Sequence, residues 1–130
     1  MGRSRLKYLV DSVIFIDHFN GIEPATRFLA DHYSELALSV ITRAELLTGF
    51  EDETSAMVAG LLDRFPNLPI DEPIADLAAR LRRGSRWKLP DALQAAAARY
   101  HGLSLVTRNT RDFKPDKHDF VTVPYVLIPS

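Results

Sequence analysis

The stretch Tyr8-Leu9-Val10-Asp11-Ser12 reads as a strand that ends on an acid and gives way to a helix. Its three consecutive apolar residues lack the polar alternation of a half-exposed strand, so they suit the interior of a parallel sheet covered on both faces. Asp11 then falls at the carboxyl end of that strand, and Ser12 to His18 follows as a short helix.

The same alternation continues outward. Ala25 to His32, with Phe28, Leu29 and Tyr33 at helical spacing, is a second helix, and Ala37 to Val40 a second apolar run. Thr42 opens a helix through Leu46, Leu47 and Phe50. Ser55 to Phe65 continues with Met57, Val58, Leu61, Leu62 and Phe65 on one core face. Leu68 to Ile70 is a short third strand, followed by an amphipathic helix carrying Ile74, Leu77, Ala78 and Leu81, which Gly84 can end. Pro90 suits a first helical turn and begins the Ala-rich segment Asp91 to Tyr100, closed by Gly102. Leu103 to Val106 is a fourth strand ending at Thr107. A short helix Asn109 to Phe113 and a polar surface loop Lys114 to Asp119 lead to Val121 to Leu127, which Pro124 demotes to an edge strand. Strands separated by helices imply right-handed crossovers, and hence an α/β fold with a mostly parallel sheet and helices on both faces.

The chain has 130 residues, 46% hydrophobic and 25% charged, which suits one domain over residues 1–130 with a sizeable core. It has no cysteine, so thiolate-held zinc, iron-sulfur clusters, disulfides and cysteine nucleophiles are excluded, and a reducing, cytoplasmic setting is the expectation. No apolar run is long enough to span a membrane, and the basic start Met1 to Lys7 meets only three apolar residues before Asp11, which does not suit a signal peptide. Gly2 is no myristoylation site, because Leu6 stands where that motif needs Ser or Thr. Charge is divided along the chain: residues 1–78 carry 6 basic and 13 acidic side chains, and residues 79–130 carry 10 basic and 4 acidic. The second part therefore invites an anionic partner.

Ligands of open α/β sheets bind beyond the carboxyl ends of the strands. Asp11, Glu45, Asp91 and Asp112 all fall just after a strand or at the opening of the next helix. Each has a purely structural explanation. Asp11 can cap the helix at Ser12, Asp91 can favour the positive end of its helix dipole, and Asp112 can be a solvated charge. Glu45 completes a capping-box pattern with Thr42. Four acids at one sheet edge nevertheless repel one another and call for a cation between them. If the fold brings them together, their hard oxygen donors and the absence of thiolates point to Mg²⁺ or Mn²⁺, and such a site suits phosphodiester hydrolysis by a metal-activated water.

Four segments carry a resemblance: Tyr8 to Asp17, Ser39-Val40-Ile41-Thr42-Arg43-Ala44-Glu45-Leu46, Leu89-Pro90-Asp91-Ala92, and Leu105-Val106-Thr107-Arg108-Asn109-Thr110-Arg111-Asp112-Phe113. In order and spacing they resemble the motifs of PIN-domain ribonucleases of the bacterial VapC toxin type, over nearly the whole chain. The resemblance implies a three-layer α/β/α fold of four to five strands and a Mg²⁺-dependent endoribonuclease. It also implies a homodimer held inactive by a small cognate antitoxin. Asp11, Glu45 and Asp91 match the family's first three acidic positions, and Thr107, Asn109 and Asp112 share the fourth motif, where some relatives carry an acid in place of Asn109. Val13 departs from the Asn or Ser common two places after the first acid, while Ser12 keeps the usual hydroxyl. On this basis Asp11 and Asp91 are metal ligands, direct or through water. Glu45 and Asp112 orient the attacking water or hold the ion from further out, and Ser12, Thr107 and Asn109 support them by hydrogen bonds.

Arg80, Arg82, Arg83, Arg86 and Lys88 cluster around Trp87. Such a run can neutralise phosphates while an indole stacks on a base; it can equally be a helix end stabilised by its dipole, with Trp87 in the core. Arg86 and Lys88, together with Arg108 and Arg111 beside the fourth motif, are the expected RNA contacts. The four histidines show no metal or triad spacing. A non-catalytic RNA- or protein-binding module keeping the same fold is the alternative, and intact Asp11, Glu45 and Asp91 speak against it. A phosphate-accepting receiver domain would need an acidic pair at position 11 and a Lys in residues 121–130, and the chain has neither.

Overall fold

The structure, a computed structural model, describes residues 5–127; Gly2 lies outside them. In chain order the elements are β1 (Tyr8–Val10), α1 (Ser12–Phe19), α2 (Glu23–Asp31), β2 (Leu36–Ser39), α3 (Val40–Thr48), α4 (Asp52–Leu62), β3 (Asn67–Leu68), α5 (Glu72–Arg83), α6 (Leu89–Tyr100), β4 (Ser104–Val106) and β5 (Val121–Thr122). The strands form one sheet in the order β3-β2-β1-β4-β5. Every neighbouring pair is parallel.

Register sorts the side chains into two cores. Leu9 pairs with Ala37 on one side and Leu105 on the other, and all three face the core built with α5 and α6. One residue away, Val10, Leu38 and Val106 point to the opposite face, where α1 to α4 pack. Because both faces are covered, the strands are apolar throughout, and the three layers follow. Burial of a Leu or Val side chain contributes roughly 2 kcal/mol, so these few strand residues anchor both layers. On α6, Ala92, Ala95, Ala96, Ala97 and Ala98 are all buried, and their small volume lets the helix lie tightly between α5 and the sheet.

Local chemistry sets the helix ends. Ser39 caps α3 by accepting from the Thr42 amide at 3.2 Å, and Asp71 caps α5 through the Ile74 amide at 3.2 Å. Pro73 and Pro90 sit in first turns, where a missing N–H costs nothing. Gly102 reverses the chain after α6 at φ +66°, a left-handed conformation.

Several expectations are corrected. Thr42 lies inside α3 rather than opening it, so the capping box with Glu45 does not form and Ser39 takes the cap. Met57 is 76% exposed, because α4 presents only Val58, Leu62 and its partly buried neighbours to the core. Asn109 to Phe113 is a turn rather than a helix. The last strand is only Val121–Thr122, and Pro124 lies beyond it, since proline cannot donate to a ladder.

Gly102→Ala is expected to cost about 1 kcal/mol through its positive φ, although no atom lies within 4 Å of the added Cβ. Thermal unfolding should register it as a fall of roughly 4 °C.

Candidate active site

The chain winds outward from β1 through β2 to β3, then crosses back to place β4 on the other side of β1. The carboxyl ends of β1 and β4 therefore diverge into the crevice that serves open α/β sheets as a binding site. Asp11 ends β1 there and also caps α1, accepting the Ser12 amide on Oδ1 at 2.8 Å. Thr107, buried at the end of β4, donates its hydroxyl to Asp11 Oδ2 at 2.8 Å. Gln94 on α6 donates to Asp11 Oδ1 at 3.3 Å. Three donors from separate parts of the chain thus set the plane of one carboxylate.

Gln94 is 2% exposed yet carries an amide, and its hydrogen bonds account for the burial. Its Nε2 also donates to Thr42 Oγ1 at 2.5 Å, and its Oε1 accepts from Ser39 Oγ at 2.6 Å. One side chain thereby ties the end of β2 and the first turn of α3 to the first acid. Sequence reading missed Gln94, although a signal existed: an amide in an otherwise Ala-rich helix, three residues after Asp91 and so on the same face.

Asp11, Ser12, Glu45, Asp91, Asn109 and Arg111 line one open cleft of about 560 Å³. Glu45 arrives from α3 and Asp91 from the first turn of α6. The carboxyl end of Glu45 is pushed above the usual carboxylate range, mainly because it is partly withdrawn from water. The charges of Asp11 and Asp91 add to the rise, and the Ser12 hydroxyl opposes it. Asp91 is likewise raised, by loss of water first and then by the charges of Asp112 and Asp11, with Lys88 pulling the other way. Glu45 and Asp91 thus both feel Asp11, and the first three acids meet in one field.

The remaining predicted residues divide. Asp112 stands at the rim and faces the neighbouring cleft, while its charge still reaches Asp91. Asn109 Nδ2 donates to Asp112 Oδ2 at 2.9 Å, and the Asn109 amide donates to Thr107 Oγ1 at 3.0 Å, so the fourth motif is one bonded unit. Arg108 lines the cleft, but its guanidinium is turned to Asp17 on α1, with Nε to Oδ2 at 2.7 Å and Nη2 to Oδ1 at 2.8 Å. Tyr125 Oη also donates to Asp17 Oδ2 at 2.7 Å. Arg108, expected as an RNA contact, is thus engaged at the cleft wall by Asp17, and this bidentate pair fastens the loop after β4 to α1. Arg111, Arg86 and Lys88 remain exposed. Trp87 is not available for stacking, since it is buried against Phe113 and donates its indole N–H to the Asp112 carbonyl at 2.6 Å.

The donor set of the cleft is carboxylate and hydroxyl oxygen, and its acids repel one another, which is the environment a hard divalent cation relieves. Among the described residues no three acidic or imidazole side chains converge tightly enough to grip an ion by themselves. Such a cleft fits Mg²⁺, which binds through one or two carboxylates and keeps several waters.

The model of the PIN domain matches residues 8–116, which include all four motifs. The chain belongs to the PIN-domain family. This PIN domain is 37% identical over 112 residues to ribonuclease VapC10 of Mycobacterium tuberculosis, covering 81% of this chain and 84% of that protein. Among solved structures it is similar to a toxin-antitoxin complex from Klebsiella pneumoniae, at 34% identity and a TM-score of 0.86 over 93% of this chain and 100% of that one. FitAcB from Neisseria gonorrhoeae aligns at 27% identity and a TM-score of 0.75, over 92% of this chain and 99% of that one.

Gln94→Leu, which preserves the apolar packing but strands the Ser39 and Thr42 hydroxyls, should lower stability by about 2 kcal/mol in urea unfolding. Asp17 is held below the ordinary carboxylate range, first by the Arg108 hydrogen bond and also by that of Tyr125, against the cost of burial. Its contribution is complete above the ordinary carboxylate range and is lost as pH falls through the lower folded value. Asp17→Asn should thus cost roughly 2 kcal/mol at neutral pH, discounted because Arg108 is partly in water. It should also flatten the acid limb of a stability-against-pH curve.

Proposed function

We propose that this chain is a divalent-metal-dependent endoribonuclease acting as the toxin of a type II toxin-antitoxin pair. The observation that carries the proposal is the meeting of Asp11, Glu45 and Asp91 in one cleft, delivered by three elements up to 80 residues apart in sequence. Its relatives support the biological setting, since one is a ribonuclease, one was solved as a toxin-antitoxin complex and one as VapBC bound to DNA. A cognate antitoxin, an RNA substrate, a homodimer, a single domain over residues 1–130 and a cytoplasmic location belong to the same proposal. No described helix is long and apolar enough to cross a membrane.

In this reading Asp11 and Asp91 hold Mg²⁺, with Mn²⁺ as a substitute, directly or through water. The ion, when bound, lowers the pKa of water and offsets charge on the phosphate. Thr107, Ser12 and Gln94 keep Asp11 in the orientation that presents its oxygens to the cleft. Glu45, its proton affinity raised, is suited to accept a proton from the attacking water or to orient it. Asp112, steadied by Asn109, adds negative charge beside Asp91. Arg111 on the cleft wall and Lys88 beside Asp91 offset the phosphodiester charge.

Cleavage of single-stranded RNA should vanish in EDTA and return with Mg²⁺. Asp11→Asn and Asp91→Asn should each lower its rate at least about a hundred-fold, with circular dichroism unchanged. Full cleavage by both variants would refute the proposal. Activity should also decline on acidification from a pH above the ordinary carboxylate range, because Glu45 and Asp91 take up protons early and their neutral forms no longer attract a cation. A pH–rate profile in which Glu45→Gln shifts that limb would show the contribution of Glu45.

A further inference from the structure

Beside the carboxylate cleft lies a second one of about 600 Å³, lined among others by Arg86, Arg111, Lys114, Lys117, His118 and Asp112. Two loops build it: the segment between α5 and α6, and the turns between β4 and β5. Trp87 locks them together. Its indole N–H bonds the Asp112 carbonyl at 2.6 Å, its ring packs on Phe113 and His118, and its own carbonyl accepts from Arg82 Nε at 3.2 Å. The cleft thus has a buried aromatic floor and cationic walls.

Four of its side chains are cations and one is an acid, yet no Arg86, Arg111, Lys114 or Lys117 ion pair occurs among the described residues. Lys7, Arg27, Arg43 and Arg108 are paired with carboxylates, whereas Arg82, Arg83 and Lys88, which flank the cleft in sequence, are like its own cations in making no ion pair among the described residues. Four exposed cations around one cleft make a locally positive field that attracts a polyanion. Arg111 lines both clefts, so the two adjoin.

We infer that this second cleft is a binding track for single-stranded RNA, holding the phosphates on one side of the bond cut at the carboxylates. The inference rests on the nuclease proposal. A strand with a phosphodiester beside Asp91 passes Arg111 and enters the cleft that Lys114, Lys117 and Arg86 line, where its phosphates meet cations. Because the floor indole is buried, recognition is by backbone charge, with little preference for sequence. An acidic peptide matches the charge but has no reason to continue into an acidic cleft, whereas RNA is drawn there by the metal.

The test compares wild type, Lys114→Gln/Lys117→Gln and Lys114→Arg/Lys117→Arg, using a labelled twelve-nucleotide single-stranded RNA. Anisotropy in EDTA over a salt series should give the Gln variant a slope of log K against log salt shallower by about 0.7 per lost charge, and several-fold weaker binding. The Arg variant should keep the wild-type slope. With Mg²⁺, the Gln variant should show a raised KM and little change in kcat. An unchanged slope, or a loss confined to kcat, overturns the track. An unchanged slope together with competition by a poly-glutamate peptide would reassign the cleft to a protein partner. If wild-type protein neither binds nor cuts RNA, the nuclease proposal itself fails; if it cuts RNA while the variants behave alike, only the track does.

Discussion

Like charges do not gather at one point of a protein without something to hold them. Here the holding is done by neutral donors: the Ser12 amide, the Thr107 hydroxyl and the Gln94 amide fix Asp11 from separate elements. Glu45 and Asp91 then enter a field already negative, and their proton affinity is raised first by partial withdrawal from water and further by that field. The buried network of Ser39, Thr42 and Gln94 is fully satisfied, with no buried side-chain polar atom among the described residues lacking a partner. A satisfied polar network tolerates only one arrangement, which is how a floppy amide becomes a rigid support.

The loop after β4 illustrates a division of labour. Thr107 faces the first acid, Arg108 turns away to Asp17, and Asn109 returns to bond Asp112. Successive residues thus alternate between site and scaffold. The Arg108–Asp17–Tyr125 cluster also brings the segment after β5 against α1, so part of the site loop's position depends on residues near the end of the chain. Trp87 has a comparable function on the other side, where its hydrogen bond to the Asp112 carbonyl fastens the fourth motif to the start of α6.

Much of this was legible beforehand. The apolar runs and the proline and glycine punctuation around the Ala-rich helix located all five strands and the longer helices, although β3 ends at Leu68 rather than Ile70 and β5 at Thr122 rather than Leu127. What failed did so for identifiable reasons. The capping-box pattern at Thr42 was outcompeted by Ser39, which lies at the true strand end. Met57 fits the helical period, but α4 is amphipathic over a narrower arc than the pattern suggested. Asn109 to Phe113 lacks the length to sustain a helix and is bound up instead in side-chain turns.

By itself, the sequence determined the parallel α/β order, the absence of sulfur ligands and the identity of the acids, because these depend on local pattern and residue type. Only the tertiary structure decided which groups share a cleft. It brought Gln94 and Thr107 under Asp11, turned Arg108 toward Asp17, buried Trp87 and set the lysines of a surface loop beside Arg86. Those outcomes depend on crossovers that join residues far apart in the chain, and no local spacing encodes the distance between two strand ends.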